Sequence, residues 1–323
     1  MAKPKPIPVP IKIISTEELE ANRAALAELN KELLPEPEAG ALSFLRKSID
    51  VPTTAEVKDM IHQEIMEYNV LTNIELKIGE EIKTLPEEPR HFLFPEILAA
   101  TNADIPAALV GPAGSGKSTL CEQVATALSL KYFLQNSVSG DHQLAGYMDA
   151  HGHYQTTSFR TAFEMGGLLL IDEVDTSDAG ALKWVNTALA NGHAMFPDKP
   201  EPVRRHKDFR IMIAANTFGN GADRLYVGAN QLDASTLDRF VFFDFVYDEK
   251  LETMLSGNLL WAKRVQNLRK AAATEKARIV ISPRATINGA KLLAVGWKQS
   301  VVEDRLIWKG IDEELKNRIR KAA

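Results

Sequence analysis

Residues 111–119 read Gly-Pro-Ala-Gly-Ser-Gly-Lys-Ser-Thr, the pattern G-x-x-x-x-G-K-[ST]. A four-residue apolar run, Ala-Ala-Leu-Val at 107–110, comes before it, and a helical pattern predicted over 117–130 comes after. A strand, a glycine-rich turn and a helix in that order form a cradle for phosphate. The glycines let successive backbone N–H groups turn inward around anionic oxygens. The helix N-terminus adds partial positive charge, and Lys117 adds a full one for the β and γ phosphates. Ser118 offers a hydroxyl to a magnesium ion. The candidate nucleotide-binding residues are therefore Gly111, Pro112, Ala113, Gly114, Ser115, Gly116, Lys117, Ser118 and Thr119. Cys121, one turn into the helix, reads as a buried structural thiol.

A second run, Gly-Leu-Leu-Leu-Ile-Asp-Glu-Val-Asp at 167–175, sets an acidic pair at the end of an apolar strand. In open α/β sheets ligands gather at the carboxyl ends of the strands. Asp172 is placed to hold magnesium, directly or through water, and Glu173 to orient or polarise an attacking water. Asp175 has two readings, a cap for the next helix or a catalytic group.

Around these motifs, short apolar segments alternate with helical ones. The strands are 107–110, KYFLQN, LLLI, RIMIAAN and FVFFDF. This pattern predicts an α/β fold, a mostly parallel sheet with helices on both faces. Three regions are expected: an N-terminal accessory region at 1–88, an α/β core carrying both motifs at 89–247 and a mainly helical lid at 248–323. In the first, a proline-rich arm at 1–10 precedes a helix capped near Ser15 or Thr16. A second helix over 54–68 and a short hairpin over 74–83 around Gly79 follow. In the third, RIVIS at 278–282 reads as a lone strand.

The net charge of −5 gives no support for unspecific nucleic-acid binding. A single cysteine excludes an intramolecular disulfide and a cysteine metal cluster, and fits a reducing cytoplasm. The first residues lack the apolar core of a secretion signal, and no stretch approaches the ~20 apolar residues of a membrane helix. A cytoplasmic location with no membrane partner is expected.

With both motifs in order, the chain resembles the AAA+ P-loop NTPases over about 92–284. It is most similar to the MoxR/CobS-like and dynein-related (midasin-type) branch, common among bacterial and phage proteins. The resemblance implies ATP as substrate with Mg2+, and ring or spiral homo-oligomers, usually hexamers. RIMIAANT sets Asn216 where the family has its sensor-1 residue. QLDASTLDRF makes Arg239 the arginine finger that reaches a neighbour's γ-phosphate, and ISPRA makes Arg284 the sensor-2 residue. Read from the residues alone, Asn216 has a structural hydrogen bond as its alternative role, and Arg239 a salt bridge to Asp238 or Asp244. Arg284 stands in a helix's first turn, where a cation is mildly unfavourable without an anionic partner. Arg224 is a weaker candidate for a second arginine acting in trans.

The resemblance also implies a hairpin in LAGYMDAHGHYQ, turning at Gly152, with Tyr147 and Tyr154 either gripping a polymer or packed on the helix below. It implies a further hairpin in PDKPEPVRRHKDF, holding the basic cluster Arg204, Arg205, His206 and Lys207. His142, His151 and His153 suggest a metal, but H-G-H on a turn poorly fits two rings to one ion. Three functions compete: a motor that remodels a protein, with a separate partner carrying a von Willebrand factor A-type domain; a nucleic-acid-associated motor; and an ATP-dependent scaffold or switch. Intact Lys117, Asp172 and Glu173 argue against the last.

Overall fold

The computed structural model describes residues 75–78, 81–85, 88–222 and 225–323, all within the unit Tyr68–Ala323. The arm, the two N-terminal helices and Arg224 lie outside the described residues. Strands β1 (Glu75–Ile78) and β2 (Glu81–Thr84) pair antiparallel, with Ile78 opposite Glu81.

Next come α1 (Phe94–Asn102), β3 (Ala107–Val110), α2 (Lys117–Ala127), β4 (Tyr132–Gln135), α3 (His142–Ala145), β5 (Tyr147–Met148) and β6 (Tyr154–Gln155). Then follow α4 (Ser158–Met165), β7 (Gly167–Ile171), α5 (Ala179–Asn191), β8 (His193–Ala194), β9 (Val203–Arg204), β10 (Phe209–Ala215), α6 (Ala234–Leu237) and β11 (Val241–Asp244). The five expected strands form one parallel sheet in the order β11-β3-β10-β7-β4. Burial explains the order: every residue of β3 and β7 is buried, whereas β4 and β11 leave residues exposed and take the edges.

The two faces of the sheet use alternate residues of each strand. Leu169 and Ile171 of β7 join Phe159, Phe163, Phe209 and Val185 in one core beneath α4 and α5. Leu168 and Leu170 join Phe94, Ile97, Leu120 and Val124 in the other, beneath α1 and α2. Because the strand order interleaves the chain, β10 lies between β3 and β7. The residue that follows β10, Asn216, is thus set between the glycine-rich loop after β3 and the acidic pair after β7.

The C-terminal helices α7 (Glu249–Ser256), α8 (Leu259–Thr274), α9 (Pro283–Ala294), α10 (Gln299–Leu306) and α11 (Glu313–Ala322) enclose a third core. Trp261, Val265, Leu268, Val302, Trp308 and Ile319 fill it. The expected strand at 278–282 is not one. Its Ile281 is buried in this helical core, and its carbonyl accepts a 2.6 Å hydrogen bond from Arg269 Nε. The alternation in RIVIS records one buried side of an extended segment; no described strand pairs with it.

Candidate functional site

The glycine-rich loop leaves β3 at Gly111, whose N–H donates to the Ala215 carbonyl at the end of β10. A Cβ on Gly111 would meet the Phe245 carbonyl oxygen at 2.0 Å, so only glycine fits this close approach. Gly116 is the N-cap of α2 with φ +101°, a left-handed conformation that L side chains disfavour. No acidic side chain stands in the first turn of α2, so its N-terminal dipole is not locally neutralised.

Lys117 is only 7% exposed. Its ammonium donates to the carbonyls of Gly111 (2.6 Å) and Pro112 (3.2 Å) and to Asn216 Oδ1 (3.2 Å). Burial pushes its pKa down to about 8, with the nearby Asp172 and Asp175 opposing and Arg284 adding to the fall. A charged group this enclosed is short of negative charge, and a polyphosphate would supply it. Cys121, directly behind, is fully buried, and desolvation pushes its thiol far above the ordinary range, so it is chemically quiet.

Across the loop, Ser118 Oγ donates to Asp172 Oδ2 at 2.7 Å. The other carboxylate oxygen of Asp172 accepts from the N–H of Glu173 at 2.9 Å. A hydroxyl and a carboxylate converging in this way are hard oxygen donors suited to magnesium. Glu173 adopts a left-handed backbone, φ +52°. That costs about 1 kcal/mol for a non-glycine residue and directs the side chain away from the turn into the exposed cleft.

Asp175 does not cap the helix that follows. Asp178 does, accepting from Ala181 N at 2.8 Å. Asp175 is buried and its Oδ2 accepts from the N–H groups of Asn216 and Thr217 and from Thr217 Oγ1, each at 3.0 Å.

One cavity of about 590 Å³ unites these groups. Residues 113–120, Asp172, Glu173, Asn216 and Arg284 line it, with Pro89, His91, Gln123, Leu251, Glu252, Leu255 and Ile287. Arg239 is not among its lining residues. It stands exposed just after α6 and makes no ion pair with Asp238, Asp244 or any other described residue.

Several groups went unread in the sequence. Ala113 of the loop is held at both ends: its N–H donates to the Tyr226 hydroxyl, and its carbonyl accepts from the Tyr247 hydroxyl, both at 3.0 Å. The Arg269 guanidinium lies 4.5 Å from the Tyr247 ring centroid and makes a two-pronged pair with buried Glu252 at 2.9 and 2.6 Å. Glu252 also accepts from Thr286 Oγ1, two residues beyond Arg284. A chain of contacts therefore joins the glycine-rich loop to α7, α8 and α9. The polar tyrosine just past the carboxyl end of β11 was the available sequence signal for it. His91 stacks on Phe245 with centroids 4.0 Å apart. Its Nδ1 accepts from Leu93 N, so Nε2 carries the proton and donates to Val246 O. Burial lowers its pKa and keeps the ring neutral.

The two peripheral hairpins are β5/β6 and β8/β9. Gly152 has φ +78° at the first turn. The tyrosines part ways: Tyr147 is exposed, whereas Tyr154 donates to Ala145 O at 2.7 Å and lies under Arg160. Asp149 accepts from the N–H groups of His151 and His153, so the H-G-H turn is closed by a carboxylate. In the second hairpin Arg205 is engaged with Asp104 and with Phe209 O.

The sheet order, the glycine-rich loop and the acidic strand end together define the P-loop NTPase fold of the AAA+ type. Residues 106–240 match the family model of the AAA domain, dynein-related subfamily. Among solved structures, the chain is similar to the Thermotoga maritima RuvB Holliday junction branch migration motor, at 17% identity over 68% of this chain and 72% of that one, TM-score 0.43. It is also similar to NtrX from Brucella abortus, at 14% identity over 88% of this chain and 58% of that one, TM-score 0.41. No described helix is long and apolar enough to cross a membrane.

Proposed function

We propose that this chain is an AAA+ ATPase subunit that hydrolyses ATP within a ring or spiral of its own copies and uses the cycle to remodel a protein partner. The observation that carries the reading is the division of the arginines. Lys117, Ser118, Asp172, Glu173, Asn216 and Arg284 share one cavity, whereas Arg239 stands outside it, exposed. A second copy could bring an Arg239 to the open side of that cavity.

In this reading Lys117 exchanges its two loop carbonyls for phosphate oxygens, and the N–H groups opening α2 hold the rest. Ser118 and Asp172 would hold Mg2+, which neutralises phosphate charge when bound. Glu173 and Asn216 orient the attacking water. Arg284 contacts the nucleotide from α9, and Arg239 of a neighbour stabilises charge that develops in the transition state. His91, Leu251, Leu255 and Ile287 give the cavity the apolar and aromatic lining that a base needs. Residues 89–247 act as the core and 248–323 as the lid, with the region before them as an accessory.

The resemblance to the MoxR/CobS-like branch favours protein remodelling with a separate von Willebrand factor A-type partner. Exposed Tyr147 is the polymer-facing group this proposal singles out. The nucleic-acid alternative loses support from Arg205, the centre of the basic cluster, which is held by Asp104. The test is electron microscopy of the Glu173→Gln variant with ATP, beside the wild-type ATPase rate. Rings or spirals with bound nucleotide are expected. A strictly monomeric particle, or a wild type without turnover, would overturn the proposal.

A further inference from the structure

Asp175 is a buried acid to which the proposed chemistry gives no part. Its burial, 1% exposed, would be costly without donors. Three donors converge on one oxygen, Oδ2, and all three come from the first two residues after β10. The other oxygen, Oδ1, is buried with no hydrogen-bond partner among the described residues. The backbone carbonyl of Asp175 accepts from Asn230 N at 2.6 Å, and Asn230 Nδ2 reaches Thr176 O (3.3 Å) and Ser177 O (3.1 Å). Asp175 thus holds Thr217 through its carboxylate and Asn230 through its carbonyl. Close by in sequence, Leu232 N donates to Gly219 O at 2.9 Å.

Two features of this arrangement bear on hydrolysis. Asp175 follows Glu173 by two residues in the tight turn that sets the left-handed backbone of Glu173. It also fixes the backbone of Asn216, whose side chain is in contact with Lys117. One carboxylate therefore sets the distance between the two groups that would hold the lytic water.

We propose that Asp175 is a positioning residue for the hydrolytic step, acting through Asn216 and tying Thr217 and Asn230 to the same point. The inference rests on the function proposed above. A charged acceptor holds three donors more firmly than a neutral amide can. In Asp175→Asn the amide oxygen takes the place of Oδ2, and its NH2 group falls where Oδ1 has no partner.

The test is a double-mutant cycle on ATP turnover with Asp175→Asn, Asn216→Ala and the pair, together with affinity for a fluorescent non-hydrolysable ATP analogue. The expected result for Asp175→Asn is a kcat about tenfold lower, with KM and analogue affinity within about twofold. In the pair, kcat should be no lower than in Asn216→Ala alone, because both act through one group. Losses that multiply, or an analogue affinity that falls as far as kcat, would overturn the proposal. If Asp175→Asn does not fold, Thr217→Val replaces it. This variant removes one donor to Oδ2 and keeps side-chain volume, and its smaller loss of kcat should vanish in the Asn216→Ala background. An unchanged kcat for Thr217→Val would then overturn the inference. A wild type without ATPase activity would instead overturn the proposed function itself.

Discussion

Lys117 and Arg239 are both cations expected to meet the same triphosphate, yet the structure treats them in opposite ways. Lys117 is enclosed, held by three oxygens of its own chain and pushed toward neutrality. Arg239 is exposed, outside the cavity and without an ion-pair partner among the described residues. Groups that stand at strand ends of one sheet are preorganised by the sheet, and their strain and desolvation are met by local hydrogen bonds. A group proposed to act in another molecule's site has no such support, and its long guanidinium would stay solvated until that site arrives.

The largest expected effect tests this contrast directly. Arg239→Ala should lower ATP turnover about 10³-fold while leaving nucleotide affinity unchanged. Mixing it with Lys117→Ala should restore part of the rate, since each variant supplies what the other lacks. Failure of the mixture to recover any rate would break the comparison.

Glu173→Gln comes next, with an expected loss of turnover of about 10²-fold and ATP still bound, measured by single-turnover hydrolysis and nucleotide retention. Wild-type turnover in that variant would remove Glu173 from its assigned role.

The pH dependence sharpens the Lys117 side. In the free protein Lys117 releases its proton as pH rises through about 8. Bound phosphates would keep it charged, so the free form binds fewer protons than the complex above that pH. Nucleotide affinity should therefore fall by up to about tenfold per pH unit above 8. Well above pH 8, binding should take up close to one proton, read by calorimetry in buffers of different ionisation enthalpy.

The smallest effect concerns the tie to the helical region. Tyr247→Phe removes the hydroxyl that holds Ala113 O while keeping the ring beneath Arg269. The expected stability loss is about 1 kcal/mol, measured by denaturant unfolding without nucleotide.

The sheet and its two motifs were legible because each is local. Apolar tetrads make buried strands wherever they pair, and glycines at 114 and 116 carry their backbone freedom with them. The third-core segment at 278–282 misled because alternation records a buried side, not a partner strand. Asp175 was open between two roles because its donors lie more than forty residues away, at Asn216 and Thr217. The Tyr226 and Tyr247 contacts with Ala113 were invisible for the same reason, at separations of 113 and 134 residues.

By itself, the sequence determined a glycine-rich turn between strand and helix at 111–119 and an acidic strand end at Asp172 and Glu173, since both depend on residue types a few positions apart. Only the tertiary structure decided what stands between them. The strand order sets β10 in the middle of the sheet, so that Asn216 meets Lys117 across 99 residues of chain. Strand pairing is settled by which faces can be buried together, and no short stretch of sequence carries that information.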